Sequence, residues 1–142
     1  MPRKPWDLPF IAEPREIAGL RRVVRLHLAL WGLHAVTEDA QLCVSELASN
    51  VITHIGPGTP ATLAVSMSGP HLRIELHDPD PRALPTLLSP TLDTEHGRGM
   101  SLINALAVRW GVEAGADHKV TWCELATGRA GEVGGFGAPF RR

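Results

Sequence analysis

The fold of this chain is decided by one stretch of sequence, Ser45-Glu46-Leu47-Ala48-Ser49-Asn50-Val51-Ile52-Thr53-His54. Two helical stripes run through it, an apolar one formed by Ala40, Val44, Leu47 and Val51 and a neighbouring one formed by Cys43, Glu46, Asn50 and His54. Side chains four residues apart stand one turn from each other, so Glu46 and Asn50 share a face beside the core-facing stripe. We therefore expect a carboxylate and a carboxamide at the edge of a pocket.

This pair of polar side chains has two interpretations. An amide oxygen and a carboxylate are hard ligands suited to Mg²⁺, and a carboxylate one turn away can orient or deprotonate a nucleophile. The alternative is a solvated pair near a helix end, because most such residues are exposed to water. The spacing of Glu46 and Asn50 alone leaves both interpretations open.

The composition excludes several classes of protein. The 142 residues are 44% hydrophobic and 20% charged, with a formal net charge of −1, which is ordinary for one globular domain and gives no basic surface for nucleic acid. The cluster Arg21, Arg22 and Arg25 is typical of a solvated helix face. No apolar run reaches the roughly 18 residues of a membrane span, and no signal-peptide core follows the N-terminus. We expect a cytoplasmic protein that binds neither a membrane nor nucleic acid directly.

The remaining secondary structure follows from periodicity and from turn residues. Residues 5–10 predict a short edge strand, and a helix is expected to begin at Pro14 and to be capped by Gly32. Thr37 is the expected N-cap of the next helix, which ends near His54. Alternating residues predict a β-hairpin over 61–67 and 71–78 with one covered face, and two further strands over 108–113 and 119–125. Cys43 and Cys123 lack the spacing of a metal site, so we expect buried thiols.

The end of the second hairpin strand carries a polar residue on its apolar side. Counting by two from Leu72, Ile74 and Leu76 places Asp78 on the core-facing side. An inward carboxylate is costly unless it meets hydrogen-bond donors, and a ligand with an N–H₂ group would supply one. The alternative is that Asp78 only starts the turn Asp78-Pro79-Asp80-Pro81. The sequence leaves both open.

Residues 79–95 hold four prolines and no clear periodicity, which is typical of a lid or binding loop. The segment leads into His96-Gly97-Arg98-Gly99-Met100-Ser101 and then into a helical pattern. Glycines that open a helix let an anion approach free backbone N–H groups, and Arg98 would add a positive charge. The alternative is a simple turn before a helix. The glycine-rich residues 127–142 predict a disordered tail, which leaves a single domain over residues 1–126.

The order of these features resembles the GHKL (histidine-kinase-like) ATPase superfamily. Within it, the chain resembles the small stand-alone anti-sigma factor serine/threonine kinase-like regulators of actinobacterial type. The resemblance rests on the 45–54 stretch and on Gly97-Arg98-Gly99-Met100-Ser101-Leu102, with support from residues 30–33, 109–111 and 119–125. It implies an α+β fold, a two-layer α/β sandwich of the Bergerat type, with a mixed, mostly antiparallel sheet under helices and ATP between the layers.

The resemblance also implies a role for each matched residue. Asn50 would hold Mg²⁺ through its amide oxygen, Glu46 would act as general base, and Asp78 would accept a hydrogen bond from the adenine amino group. The phosphates would be lined by Gly97, Arg98, Gly99, Met100 and Ser101, and the pocket would be bordered by His54.

The implied function is that of an ATP-binding regulator resembling anti-sigma factor serine/threonine protein kinases. Such a protein would phosphorylate an antagonist (anti-anti-sigma) protein, sequester a sigma factor and form a homodimer. Prolines stand after Asp78 where larger family members have glycines. Because phosphoryl transfer depends mostly on positioning, two alternatives stay open: an ATP-binding regulatory module that controls partner binding without kinase activity, and a scaffold that has lost nucleotide binding.

Overall fold

The computed structural model describes residues 2–81 and 94–128, and for residues 94–99 it describes the helix but not the side chains. Its elements are strand β1 (Trp6–Ala12), a 3₁₀ turn (Pro14–Glu16), helices α1 (Ile17–Leu30) and α2 (Thr37–His54), strands β2 (Thr59–Ser68) and β3 (His71–Asp78), helix α3 (Thr94–Leu106), and strands β4 (Arg109–Ala114) and β5 (Lys119–Ala126). Most of the expected lid over 79–95 and, from residue 129 onward, the expected disordered tail lie outside the described residues. Within those residues, no helix is both long enough and apolar enough to cross a membrane.

The described strands form one sheet in the order β1-β2-β3-β5-β4. Each neighbouring pair is antiparallel. The described sheet is therefore antiparallel throughout, whereas the resemblance implies a mixed, mostly antiparallel sheet. After β3 the chain passes through α3 to β4 at the edge, and β5 then returns between β4 and β3. β4 thus runs in the same direction as β3 but is separated from it. The α+β fold is confirmed, and β1 is the predicted edge strand, which tolerates Pro9.

Helix α2 is the centre of the helical layer, since it packs between α1 and α3 and also against β1, β3 and β5. The apolar stripe predicted for it, Ala40, Val44, Leu47 and Val51, is buried. On β3, buried Leu72, Ile74 and Leu76 alternate with less buried residues, as the sequence predicts. Each fully buried leucine contributes about 1.5–3 kcal/mol to folding, so these two stripes hold the helical layer on the sheet.

The two cysteines are buried in this core as free thiols, as expected. Hydrogen bonding with Cys43, together with burial, raises the pKa of Cys123 well above its usual value. A thiol with a raised pKa stays protonated and unreactive at neutral pH, so the pair belongs to the packing of α2 against β5.

Gly32 ends α1, as predicted. Its φ is +74°, a backbone conformation that glycine adopts without steric penalty. The N–H of Leu33 donates to the carbonyl of Leu28 at 2.8 Å, and the N–H of Gly32 donates to the carbonyl of Ala29 at 3.1 Å. These two bonds form a Schellman motif, which satisfies carbonyls that the helix end leaves unpaired.

The expected role of Thr37 is wrong. The N-cap position of α2 is occupied by Val36, and Thr37 is the first helical residue. The Thr37 hydroxyl instead donates backward to the carbonyl of Leu33 at 3.1 Å. A hydroxyl held by the preceding turn does not cap the first turn of the helix, so Glu38 and Asp39 provide the favourable negative charge at this end.

The start of α3 also differs from the prediction. The helix begins at Thr94, three residues before Gly97, so the glycines lie within it and do not open it. Threonine and glutamate at 94 and 95 are residue types favoured at helix starts. Intrahelical hydrogen bonds outweigh the cost of about 1 kcal/mol for each interior glycine. Among the described residues, the N–H groups that lack intrahelical partners therefore belong to residues 94–96, and not to Gly99, Met100 and Ser101.

A charged network around Glu124 covers the sheet face opposite the helices. The Glu124 side chain is 2% exposed, and its carboxylate accepts hydrogen bonds from Arg73 at 2.9 Å and from Arg109 at 2.7 Å. Arg73 also lies 4.3 Å from the ring centroid of Trp122, and Gly111 leaves room for that ring, since a Cβ there would lie 2.9 Å from it. Burial raises the pKa of Glu124, but the two arginines outweigh burial and hold the pKa below its usual value.

Replacing Glu124 with Gln tests this network. A folded-state pKa below the unfolded value means that the carboxylate stabilises the fold above the usual value of 4.5 and that this stabilisation is lost as the pH falls through the folded pKa. We expect E124Q to lower the free energy of unfolding by about 2 kcal/mol at neutral pH. The difference from wild type should shrink at about pH 3. Urea unfolding followed by circular dichroism measures both.

Glu113→Gln is the matched control, because Glu113 is exposed on the neighbouring strand β4. The control should cost no more than about 0.5 kcal/mol. A loss in E124Q that is equal at both pH values would contradict the assigned role of the ionised carboxylate.

Candidate functional site

The site is built on the last two turns of α2. Asn50 and His54 are half-buried there, and Glu46 stands one turn earlier on the same side of the helix. Glu46 has no hydrogen bond or ion pair within the described part of the chain, so its carboxylate is available to a ligand or to a partner. His54 lies in the last turn, where a basic side chain complements the helix dipole.

A small cavity brings together residues from α2, β3 and β5. It is lined by Leu47, Asn50, Val51, His54, Leu76, Asp78, Lys119 and Thr121. Its volume of about 10 Å³ holds one water molecule and not a nucleotide. Three of the predicted site residues, Asn50, His54 and Asp78, thus share one cavity, whereas Glu46 lies outside its lining.

Asp78 is buried on the core-facing side of β3 with 4% of its surface exposed, as the alternation of the strand predicts. One carboxylate oxygen, Oδ1, accepts the backbone N–H of Asp80 at 3.0 Å, and the other, Oδ2, accepts the ammonium of Lys119 at 2.5 Å. The carboxylate thus points inward, as the alternation of β3 predicts, and it also closes the turn that follows. Its buried donor is Lys119, so a hydrogen bond from a ligand N–H₂ group to Asp78 stays a prediction.

Lys119 was missing from the residues predicted for the site. It is the first residue of β5, directly opposite Asp78 in the register, and its side chain is 5% exposed. The signal was present in the sequence, because Lys119 shares the parity of Thr121, Cys123 and Leu125. A strand start is a common place for a solvated lysine, and only the pairing of β5 with β3 shows that this one is buried beside a carboxylate.

Asn50 is oriented by the third helix. Its amide nitrogen donates to the sulfur of Met100 at 3.0 Å, and Met100 is fully buried. The amide oxygen has no partner among the residues that the structure describes. The amide is thus oriented with its nitrogen on Met100 and its oxygen available, and oxygen is the atom that a hard metal ion binds.

The donor set around Asn50 is sparse. No group of three or more His, Cys, Asp or Glu residues that could hold a metal ion occurs in the described ranges 2–81 and 94–128. The residues fit a Mg²⁺ ion that takes one protein oxygen and completes its shell with phosphate and water, as this ion does in nucleotide sites.

The predicted phosphate residues lie on α3. Met100 holds Asn50, and Ser101 is exposed. The path of the helix places Gly97 in its first turn and Gly99 in its second, while the side chain of Arg98 lies outside the described part of the structure. An anion at this helix would therefore meet the backbone N–H groups of residues 94–96.

A second depression lies at the end of the sheet. Its volume is about 560 Å³, and it reaches Asp78 and Pro79 from β1 and the turn before β5. It contacts neither Asn50 nor His54. It is larger than the first cavity but gathers fewer of the predicted site residues.

Comparisons with known proteins identify the family of this chain. The family model of the histidine kinase-like ATPase domain matches residues 10–123. An uncharacterized protein of Streptomyces coelicolor is 46% identical over an alignment of 86 residues, which covers 58% of this chain and 81% of that protein.

A solved structure shares the fold. The crystal structure of the RsbU and RsbW domains of a Mycobacterium tuberculosis protein superposes with a TM-score of 0.64 at 17% identity, covering 87% of this chain and 32% of that one. This chain thus spans about a third of the length of that chain. Because the family match runs over most of its length, the protein belongs to the histidine kinase-like ATPase domain family.

Proposed function

We propose that the protein binds ATP with Mg²⁺ beside the cavity of Asn50, His54 and Asp78, and that it acts as a regulator of the anti-sigma factor kinase type. The observation that carries this proposal is the convergence of these three side chains, from two separate elements, on one partly open cavity. Membership of the histidine kinase-like ATPase family supports a nucleotide as the ligand.

Each residue has a distinct task in this proposal. Asp78, paired with Lys119, accepts a hydrogen bond from the adenine amino group. Asn50 offers its amide oxygen to the metal ion, which neutralises phosphate charge when it is bound. The first turn of α3 donates backbone N–H groups to the phosphates. The lining apolar side chains Leu47, Val51 and Leu76 exclude water from the base.

Glu46 is the proposed general base. Its carboxylate has no described partner and lies one turn from Asn50, so it can accept a proton from a hydroxyl placed beside the phosphates. The hydroxyl would belong to a serine of an antagonist protein, or to water. This chain would also sequester a sigma factor and act as a homodimer. It shares its fold with a structure that contains an RsbW domain, which supports a regulator of this kind.

A second candidate function is an ATP-binding module that controls partner binding without kinase activity. The turn after Asp78 favours it, because Pro79 and Pro81 stand there and the Asp80 N–H is already bound to Asp78. A turn fixed in this way limits the movement that closure over a nucleotide requires.

Calorimetric titration of ATP with Mg²⁺ and with EDTA tests the binding site. We expect Mg²⁺ to tighten ATP binding by about tenfold or more in the wild type. In Asn50→Ala the tightening should disappear, because the metal ion loses its protein oxygen. Asn104→Ala is the matched control, since Asn104 is exposed on α3 and, within the described residues, bonds only Trp110.

Two outcomes would contradict this proposal. Wild type that fails to bind millimolar ATP would remove the nucleotide from the site. An unchanged Mg²⁺ effect in Asn50→Ala would remove the metal role of that residue.

Glu46→Gln separates the two candidate functions. The variant should bind ATP within about threefold of wild type, while transfer of the γ-phosphate to a serine of a purified candidate antagonist falls by about 100-fold or more. Radiolabelled ATP measures the transfer. Glu38→Gln is the control, because Glu38 is exposed in the first turn of the same helix. Unchanged transfer in Glu46→Gln would sink the base role, and ATP binding without transfer by the wild type would favour the second candidate function.

A further inference from the structure

The buried ammonium of Lys119 has N–H donors that lack an acceptor within the described residues. A lysine ammonium carries three N–H donors, and the Asp78 carboxylate accepts one of them at 2.5 Å. The residues that the structure describes provide no second acceptor, although the side chain is only 5% exposed. Unused donors on a buried charge are costly, so the site favours an additional acceptor beside Asp78.

The second acceptor has to come from the cavity. Lys119 and Asp78 both line it, together with Asn50 and His54. A single water fills its volume of about 10 Å³, so a ligand must present only an edge to the pair. Because Lys119 and Asp78 neutralise each other, they suit the edge of an uncharged ring with a donor and an acceptor side by side.

Adenine has such an edge. Its 6-amino group is a donor, and the adjacent ring nitrogen N1 is an acceptor without a hydrogen. We propose that Lys119 is a second base-recognition residue, which donates a hydrogen bond to adenine N1 while Asp78 accepts one from the 6-amino group. This inference rests on the ATP site proposed above. In this role the Asp78–Lys119 ion pair recognises the base and also links β3 to β5.

The Asp78–Lys119 pair should bind a base that lacks N1 much more weakly than adenine. A ligand that fills the site without an acceptor there leaves the ammonium desolvated and unpaired, and sites built around a buried hydrogen bond reject such analogues strongly. A lysine that served only to link the strands would be indifferent to the atom at this ring position.

The experiment compares three nucleotides with the full-length wild-type chain. ATP, 1-deaza-ATP and 7-deaza-ATP are titrated by calorimetry in the presence of Mg²⁺. 1-Deaza-ATP has C–H in place of N1, and 7-deaza-ATP has the same change at N7, on another edge of the ring. We expect 1-deaza-ATP to bind about tenfold to 100-fold more weakly than ATP, and 7-deaza-ATP to bind within about threefold of ATP.

Variants at the pair assign the effect to Lys119. Lys119→Met keeps the length of the side chain without its charge, and it should bind ATP and 1-deaza-ATP with the same affinity. This variant leaves the Asp78 carboxylate buried and unpaired, which is destabilising. The double variant Asp78→Asn/Lys119→Met removes both charges, and it should likewise fail to distinguish the two nucleotides. Urea unfolding verifies that each variant is folded.

The outcomes distinguish this inference from the proposed function. Equal affinity of the wild type for ATP and 1-deaza-ATP would overturn the role of Lys119 and leave the ATP site intact. A 7-deaza-ATP affinity reduced as much as that of 1-deaza-ATP would also overturn it, because the loss would not belong to one ring edge. Wild type that binds none of the three nucleotides would overturn both the inference and the ATP site.

Discussion

The alternation of side chains along β3 is the constraint on which the rest of the structure depends. Each second residue from Leu72 to Asp78 faces the helices, so the strand builds the core and ends it with a carboxylate. A shift of the strand by one residue would expose the leucines and turn the carboxylate to the solvent. The apolar contacts that hold α2 on the sheet thus also determine where the polar end of the site lies. Stability and site geometry are consequently two results of one pattern.

The ion pair between Asp78 and Lys119 is the second consequence of that pattern. A carboxylate among apolar neighbours needs compensation, and the antiparallel register supplies it by setting Lys119 directly opposite. Such a pair contributes little net stability compared with apolar residues of the same size, yet it is costly to break because the remaining charge is left buried. Its presence at a cavity wall, and not in the middle of the core, is therefore understandable if both partners also contact a ligand.

The periodicity of apolar residues predicts much of this arrangement. The predictions that are wrong have identifiable physical causes. The stripes of α2 and β3, the cap at Gly32 and the inward Asp78 depend on neighbouring residues, so local patterns predict them. Thr37 and the start of α3 were mispredicted because several residues compete for a helix end, and small energy differences decide between them. The burial of Lys119 cannot be predicted from local patterns, because it depends on which strand β5 pairs with, and tertiary structure decides that pairing.

The position of β5 between β3 and β4 has a consequence for the order in which the protein folds. The β2–β3 hairpin needs only a short turn, whereas Lys119 reaches Asp78 from 41 residues away along the chain. Closing so long a loop costs chain entropy, and only the contacts of the docked strand offset that cost. The inner part of the sheet is thus completed by a strand that is distant from β3 in the sequence. Since the cavity includes residues of that strand, a nascent or partly unfolded chain can hold a formed hairpin and helices and still lack the site.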